Sequence, residues 1–310
     1  MPYRSTRAYT SGNLEKVFES AGRIPIDDSS RIILMSDCHR GDGSWADDFL
    51  KNQYIYNAAM NHYFSKNYTY IEIGDGDELW KNKNLSDIIR VHGDTFWILS
   101  RFFSEGRLYS IFGNHDVVKN NSRFTKRFYC RSYYNYLGTQ EKRDIISLDN
   151  IKHHEGLVLK HTPTGGEIFL VHGHQGDYIN YKLWRVNRFL IRYFWRPLEL
   201  YGVNDPTSAA KNNEKKAALE KRLIEWAADK NRMLVTGHTH RPLFSEPGEP
   251  PYFNDGSCVH PHCITGIEVA EGEITLVKWE VKAKNDGALY VGREVLAGPR
   301  KLKEYFEYKP

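Results

Sequence analysis

The sequence predicts an α/β fold with a buried sheet. Short apolar runs of strand length alternate with longer segments of helical periodicity, and glycine follows several of the apolar runs. The chain has 310 residues, of which 40% are hydrophobic and 26% are charged, as is typical of a globular protein. This length suits one large domain or two small ones, with a core that needs no disulfide or metal cross-link for stability.

Three strands and three helices are predicted in the first half of the chain. The strands are short apolar runs, typical of a buried sheet, at residues 31–36 (RIILMS), 68–73 (YTYIEI) and 107–112 (RLYSIF). The helical segments lie at residues 13–21, 48–66 and 88–103. The alternation of the two types places the predicted strands in one sheet covered by helices.

A hairpin, a helical insertion and further strands are predicted in the second half. Segments 157–161 and 167–172 flank the turn Pro163-Thr164-Gly165-Gly166, which indicates a hairpin. Residues 178–228 carry no strand signal and are predicted to be mostly helical. The later strands are predicted at residues 232–237, 252–254, 263–269 and 273–281.

These elements divide the chain into one main domain with an extension at each end. The main domain is expected to span residues 31–282, with a helical cap inserted at about 178–230. Residues 1–30 are expected to form an N-terminal extension with one short helix, and residues 283–310 a C-terminal extension.

Composition and cysteine usage predict a cytoplasmic protein. The four cysteines form no Cys-x-x-Cys pair and give no sign of a disulfide framework. The first twelve residues are polar, so no apolar leader is expected, and no stretch reaches the ~20 apolar residues of a membrane-spanning helix. A net charge of +4 permits an anionic partner without identifying one.

Five polar motifs follow five of the predicted strands, and each contains residues that can ligate a metal ion. They are Asp37-Cys38-His39, Gly74-Asp75-Gly76-Asp77-Glu78, Gly113-Asn114-His115-Asp116, His172-Gly173-His174 and Gly237-His238-Thr239-His240. Open α/β folds place their sites beyond the carboxyl ends of strands, so these side chains are expected to meet at one edge. Residues i and i+2 of an extended segment face the same way, so D-x-H and H-x-H can each direct two ligands into one cavity.

Carboxylate, imidazole and amide ligands in this pattern are suited to metal-dependent hydrolysis of an ester at phosphorus. Such hydrolysis requires a nucleophile at neutral pH and neutralisation of the phosphoryl oxygens. Two divalent metal ions about 3.5–4 Å apart supply both, through a shared hydroxide and a clamp on the oxygens. We expect Mn²⁺, with Fe, Zn, Co or Ni as alternatives, because ligand sets of nitrogen and oxygen accept all of them.

In this order, and each after a strand, the five motifs resemble the signature of the calcineurin-like metallophosphoesterases over roughly residues 31–281. The resemblance implies a four-layer α/β/β/α sandwich with an inserted helical cap. It also implies seven metal ligands, namely Asp37, His39 and His240 for the first ion, Asn114, His172 and His238 for the second, and Asp75 as the bridge between them.

The same resemblance implies a mechanism in which His115 is the general acid. His115 would donate a proton to the leaving-group oxygen, while Asp116 would orient the imidazole and stabilise its charge. A metal-bridging hydroxide would attack phosphorus in line, without a covalent enzyme intermediate.

Several of these residues also have a purely structural interpretation. Asp37 and Asp75 could cap the helices that follow them, and Asn114 could be a turn residue. His92 also precedes a glycine and is a rival to His172, but His92 lies in a helical segment whereas His172 ends a compact strand. His174 is expected in the wall of the cavity.

A basic helix is predicted at residues 181–196. Its basic residues are spaced three or four apart, along one stripe beside a broad aromatic surface: Lys182, Arg185, Arg188, Arg192 and Arg196. One interpretation is a solvated helix face. Another is a positive rim in which Arg185 and Arg188, together with His174, bind an anionic substrate. A third is peripheral contact with a membrane surface.

The function predicted from the sequence is hydrolysis of a phosphate ester or pyrophosphate bond in an anionic, phosphate-containing substrate. Within the superfamily, residues 74–80 and His172-Gly173 are most similar to the UDP-2,3-diacylglucosamine pyrophosphohydrolases of lipid A synthesis, although the cap sequence and His174 differ from that branch.

Three alternatives use the same site. It could serve a serine/threonine protein phosphatase or a nuclease, but the basic residues are confined to one helix, so no stable nucleic acid partner is expected. A non-catalytic metal-binding scaffold is a further alternative. The presence of all seven ligands together with His115 and Asp116 argues against it.

Overall fold

The structure is a computed structural model and describes residues 3–129, 148, 150–195 and 213–308. Arg196, one of the predicted basic residues of the cap, lies outside the described residues.

In chain order the strands are β1 (Gly22–Ile26), β2 (Arg31–Met35), β3 (Thr69–Ile73), β4 (Leu108–Ile111), β5 (His153–His154), β6 (Gly156–His161), β7 (Glu167–Val171), β8 (Met233–Thr236), β9 (Leu243–Phe244), β10 (Tyr252–Asn254), β11 (Cys263–Ala270), β12 (Glu273–Ala283) and β13 (Leu289–Lys301). The helices are α1 (Tyr3–Ser20), α2 (Gln53–Ser65), α3 (Leu85–Val91), α4 (Gly93–Ser104), α5 (Ser122–Tyr129), α6 (Tyr178–Lys182), α7 (Trp184–Leu190), α8 (Asn213–Lys230) and α9 (Leu302–Phe306).

The described strands form two mixed sheets. The first has the order β1-β6-β7-β8-β10-β9, and the second has the order β13-β12-β11-β2-β3-β4-β5. In the second sheet β2, β3 and β4 are parallel neighbours, and in the first sheet β7 and β8 are parallel neighbours. The carboxyl ends of β2, β3 and β4 therefore share one edge of the second sheet, and those of β7 and β8 share one edge of the first.

Three hydrophobic clusters determine the order of the layers. Ile33 and Leu34 are adjacent on β2 and point to opposite faces of the sheet, so they belong to different clusters. Leu34 packs between the two sheets, together with Leu170 of β7. Ile33 packs against the layer formed by α2, α3 and α4. The outer face of the first sheet, including Phe169, packs against α1 and α8. The predicted four-layer α/β/β/α sandwich is therefore confirmed.

Both ends of the chain contribute to this sandwich, although the sequence predicted extensions there. Helix α1 is longer than the predicted helix at 13–21, and its Leu14, Val17 and Phe18 pack on the first sheet. Strand β1 pairs with β6, and β13 pairs with β12 at the edge of the second sheet. The apolar spacing of three and four in α1 buries one helix face, while the polar residues around it conceal that pattern in the sequence.

The cap is helical where the structure describes it. Helices α6 and α7 and one π-helical turn (Ile191–Trp195) follow β7, and α8 precedes β8. The guanidinium of Arg192 donates hydrogen bonds to the carbonyl oxygens of Leu79, Trp80 and Asn82. This contact fixes the end of the first cap segment to the loop that follows β3. The outer limits of the cap, at about residues 178 and 230, stay a prediction.

The outward face of α6, α7 and the π-helical turn is mostly apolar. Val186, Phe189 and Phe194 are each more than half exposed, and Lys182 and Arg185 lie among them. Because Arg192 turns inward, the basic residues do not form the single exposed stripe that the spacing predicted. None of the described helices combines the length and the apolar character needed to cross a membrane. Peripheral contact with a membrane surface stays a prediction.

Candidate metal centre

The five predicted motifs meet where the carboxyl ends of β2, β3, β4, β7 and β8 converge. Three groups of side chains there have ligand atoms within 4.8 Å of one another. They are Asp37 with His39 and His240, His39 with Asp75 and His115, and Asp75 with His172 and His238. Asp75 belongs to two of these groups, which is the position that a bridging carboxylate would occupy.

Most of the predicted ligands have a left-handed backbone conformation. Asp37, His39, Asp75, His238 and His240 all have φ between 48° and 69°. This region is sparsely populated by residues other than glycine and costs of order 1–3 kcal/mol per residue. Main-chain hydrogen bonds between loops compensate for this cost, because the N–H groups of Asp37 and His39 donate to the carbonyl oxygens of Gly74 and Asp75. The loops are thereby held in a conformation that directs the side chains into one space.

Two glycines leave room for the predicted ligands. A β-carbon at Gly113 would lie 2.1 Å from Asp75 Oδ1, and a β-carbon at Gly74 would lie 2.6 Å from His172 Nδ1. Gly74 also has a φ of +86°, which L side chains rarely adopt. Any larger residue at either position would therefore displace a side chain of the cluster.

Asp37 has one oxygen fixed by protein donors and one directed at imidazoles. Its Oδ2 accepts hydrogen bonds of 2.7 Å from the His238 N–H and the Ser36 hydroxyl. Its Oδ1 lies 3.0 Å from His240 Nε2 and 3.5 Å from His39 Nε2. A carboxylate oxygen among imidazole nitrogens is the arrangement that a shared cation stabilises.

In Asp75 and in His172, too, one atom is held by a main-chain hydrogen bond and the other faces a second side chain of the cluster. Asp75 Oδ1 accepts a hydrogen bond of 2.8 Å from the His115 N–H, whereas Oδ2 lies 3.1 Å from His172 Nε2. His172 Nδ1 lies 2.7 Å from the carbonyl oxygen of Ile73, to which it can only donate. In the neutral ring this leaves the Nε2 lone pair facing Asp75, as a metal ligand requires.

Asn114 provides a further test of whether these residues suit a metal ion. Its Oδ1 is buried and has no hydrogen-bond partner among the described residues. A buried polar atom without a partner is costly, and a cation would supply the missing interaction. Carboxylate, amide and imidazole donors together match the preferences of divalent transition metals. The residues present therefore fit divalent metal ions.

The electrostatics of the cluster favour cations. Burial alone would raise the pKa of Asp75, but His172 and its neighbouring imidazoles lower it below the ordinary carboxyl range. Burial alone would lower the pKa of His172, but Asp75 and Asp37 raise it to about 9. The pKa of His238 is lowered to about 3 by burial and by His172, so His238 stays neutral and keeps a lone pair. The cluster thus combines ionised carboxylates with an uncharged imidazole ligand.

The ring of His115 is held by Glu78 and Trp80. Glu78 Oε2 lies 2.8 Å from His115 Nδ1, and the Trp80 ring stacks on the imidazole with centroids 4.2 Å apart. Glu78 Oε2 also lies 3.2 Å from His39 Nδ1. Burial alone would raise the pKa of Glu78, but His115 lowers it well below the usual range. One ionised carboxylate therefore orients both a predicted ligand and the predicted general acid.

The predicted contact of Asp116 with the His115 ring is wrong. Asp116 Oδ1 accepts a hydrogen bond of 2.7 Å from the Gly113 N–H, and Oδ2 accepts from the Gly76 N–H and from Lys119 Nζ. The chain turns into a single 3₁₀ turn directly after Asp116, which directs this carboxylate away from the imidazole. Asp116 instead ties the loop after β4 to the loop after β3.

Replacing Glu78 with Gln should weaken metal binding and lower turnover together. Glutamine retains the shape of the side chain but loses the charge that orients His39 and His115. Substituting a partner that orients metal ligands typically costs 10–100-fold in metal affinity or activity. We expect the variant to need a higher Mn²⁺ concentration for half-maximal activity and to have a lower kcat at saturating Mn²⁺. The control is Glu105→Gln, which changes an exposed glutamate. Equal Mn²⁺ titration curves for the two variants would contradict the orienting role of Glu78.

A buried chain of charges below the loops was not predicted from the sequence. The Arg40 guanidinium donates to both oxygens of Glu72 and to Asp77, and Lys119 Nζ contacts Asp77 and Asp116. These five side chains are almost fully buried. Arg40 directly follows His39, and Asp77 lies two residues after Asp75. The ionic chain therefore positions the loops that carry two predicted ligands.

The remaining predicted residues lie in three different settings. His92 is buried and its Nε2 lies 2.8 Å from Asp47 Oδ2, so the rival to His172 belongs to a separate structural contact. His174 is buried with its ring centroid 5.4 Å from that of His172, and its place in the cavity wall stays a prediction. Arg185 and Arg188 are each placed over the ring of Trp184, and neither is part of the three ligand groups.

Comparison with known proteins gives the family. The model of the calcineurin-like phosphoesterase family matches residues 30–242, which is more than two thirds of the chain. The chain belongs to the calcineurin-like phosphoesterase family. The two facing sheets with helices outside them are the metallophosphoesterase fold, and the Asp and His groups are candidate sites for divalent metal ions in a phosphoesterase of this family.

The other two comparisons add little to the family assignment. A search of the curated proteins found no match to this sequence. Among solved structures, the chain is similar to Vps29 of Chaetomium thermophilum, with 10% sequence identity and a TM-score of 0.37. That similarity covers 86% of this chain and 97% of the Vps29 chain.

Proposed function

We propose that this chain is a dinuclear-metal hydrolase that cleaves a phosphate ester or pyrophosphate bond. The observation that carries the proposal is the position of the Asp75 carboxylate in two adjacent groups of ligand atoms. Asn114, whose Oδ1 has no partner among the described residues, directly precedes His115 of one of these groups. Family membership supports phosphoester chemistry.

The proposed ligands divide between two sites. One ion would be held by Asp37, His39 and His240. The other ion would be held by Asn114, His172 and His238, and Asp75 would contact both ions. When bound, such ions activate water at neutral pH and neutralise phosphoryl oxygens. Manganese is the proposed metal, and the ligand chemistry also accepts Fe, Zn, Co or Ni.

His115 is proposed to hold and deliver the proton for the leaving group. Its Nδ1 faces Glu78, so Nε2 is the atom that can donate to a leaving-group oxygen. Glu78 stabilises the imidazolium, and the stacked Trp80 restricts the ring to one orientation and shields it from water. Asp116 acts indirectly, because it holds the backbone at Gly113 and Gly76.

A sugar-lipid pyrophosphatase of the lipid A type is a second candidate. It is supported by the motif similarity at residues 74–80 and by the exposed aromatic face of the cap, where Phe189 and Phe194 are 61% and 59% exposed. An apolar face of this kind suits a substrate with acyl chains. The assignment to that branch is a proposal that a substrate comparison decides.

The test is hydrolysis by the purified protein in the presence of Mn²⁺. The substrates are p-nitrophenyl phosphate, its bis-ester, nucleotides and UDP-sugar lipids. We expect at least one class to be cleaved, with the activity lost after chelation with EDTA and restored by Mn²⁺. The His238→Ala variant is the matched control for contaminating phosphatases. Absence of turnover with all four classes, from protein shown to contain metal, would overturn the proposal.

A further inference from the structure

The first cap segment, formed by α6, α7 and the π-helical turn, turns its apolar side to solvent. Neither α7 nor the π-helical turn contains a buried residue. Most of the exposed residues of the segment are apolar or aromatic, and the only charged ones are Lys182 and Arg185. Together with these two, they form the surface that we name the cap face: Tyr178, Ile179, Leu183, Val186, Phe189, Leu190, Tyr193 and Phe194. A continuous exposed apolar surface of this kind marks an interaction site.

Polar contacts hold the opposite side of the segment against the protein. Asn187 Nδ2 donates to Asn180 Oδ1 at 3.3 Å, and Asn180 Nδ2 donates to Asp177 Oδ2 at 2.9 Å. The guanidinium of Arg192 donates to carbonyl oxygens of residues 79–82. Rotating the helices to bury their apolar side would break these hydrogen bonds and leave polar groups without partners. The apolar side is therefore fixed in its outward orientation.

The charge of the segment selects among the possible occupants of the cap face. Residues 178–196 include five Lys or Arg and no Asp or Glu. The charged groups of Lys182 and Arg185 lie over the rings of Tyr181 and Trp184, and Lys83 Nζ lies 5.5 Å from the centre of the Tyr193 ring. A second copy of the chain on this face would bring like charges together, which is unfavourable. An occupant that is anionic and accepts apolar side chains fits both properties.

We propose that the cap face docks on the surface of a bilayer that contains anionic phospholipids. Helices with aromatic and aliphatic residues beside Lys or Arg lie in the plane of such a surface, with the apolar side chains at the boundary of headgroups and acyl chains. In this arrangement Phe189 and Phe194 enter the boundary, and Lys182 and Arg185 contact lipid phosphates. The inference concerns docking alone and goes beyond the proposed hydrolysis.

The test is co-sedimentation of the full chain with vesicles of two compositions. One is pure phosphatidylcholine, and the other contains equal parts of phosphatidylcholine and phosphatidylglycerol. Phe189→Gln removes an aromatic ring from the cap face, and its matched control is Leu289→Gln, at an exposed apolar residue of β13. Arg185→Gln removes a charge from the face, and its control is Lys303→Gln, at an exposed residue of α9. Thermal unfolding verifies that each variant is folded.

We expect the wild type to bind the mixed vesicles about tenfold or more tightly than pure phosphatidylcholine. Arg185→Gln should weaken binding to the mixed vesicles alone by about fivefold, the effect of one basic residue near an anionic surface. Phe189→Gln should weaken binding to both vesicle types by about tenfold, because it removes apolar surface from the contact. Both controls should behave as the wild type. Absence of binding to the mixed vesicles, or equal binding by Phe189→Gln and Leu289→Gln, would overturn the inference.

Two other occupants of the cap face are distinguished by further measurements. A second copy would give a wild-type dimer in light scattering that Phe189→Gln converts to a monomer. A single bound lipid molecule would give equal affinity for dispersed dihexanoyl phosphatidylglycerol and for the mixed vesicles. Either result would overturn docking on a bilayer. Vesicle binding requires no turnover, so its failure is distinct from a failure of the proposed function.

Discussion

Replacing Asp75 with Asn is expected to abolish stoichiometric metal binding. Among the described residues, Asp75 is the one carboxylate that belongs to two of the three ligand groups, so its charge serves both proposed ions. Changes in supporting residues already cost 10–100-fold in metal affinity, and loss of the bridge should cost at least about 100-fold. The measurement is metal content by mass spectrometry after dialysis against metal-free buffer.

Asp94→Asn, on the exposed first turn of α4, is the matched control for this experiment. It removes the same charge from the chain without touching the ligand groups. The wild type and the control should retain bound metal under conditions in which Asp75→Asn does not. Undiminished metal content in a folded Asp75→Asn protein would show that Asp75 is not the bridge.

Replacing His115 with Ala is expected to lower turnover while the metal ions stay bound. Loss of a general acid typically reduces the rate by 10²–10⁴-fold. The ring lies in a group with His39 and Asp75, and its Nδ1 faces Glu78, so Nε2 is the atom left to donate a proton. The measurement is kcat with p-nitrophenyl phosphate at saturating Mn²⁺, with metal content determined on the same preparation.

His62→Ala, on the outer surface of α2 near Trp279, provides the histidine control. This variant should have the kcat and the metal content of the wild type. A His115→Ala protein with full metal content and an unchanged rate would exclude the role of general acid. Loss of metal in that variant would instead make His115 a ligand, which also contradicts the assignment.

The strand ends that build the site could be predicted from the sequence because two local signals coincide there. RIILMS before Asp37 and RMLVTG before His238 are apolar runs short enough to be buried strands, and polar residues with glycine follow directly. Parallel strands bring their carboxyl ends to one edge, so convergence follows from topology. The order of the layers follows from the alternation of Ile33 and Leu34 between two cores.

Side-chain partnerships could not be predicted in the same way. The sequence places Asp116 next to His115, but backbone geometry directs neighbouring side chains apart, and Glu78 reaches the ring from another loop. The left-handed conformation of Asp75 is imposed by contacts between loops.

Anomalous diffraction from crystals of the Mn²⁺-loaded protein would locate the metal ions directly. We expect two peaks within about 4 Å of each other, the typical spacing in two-metal sites, with Asp75 contacting both. One peak should also contact His240 and the other His172 and Asn114. A single peak, or peaks remote from these side chains, would contradict the proposed dinuclear centre.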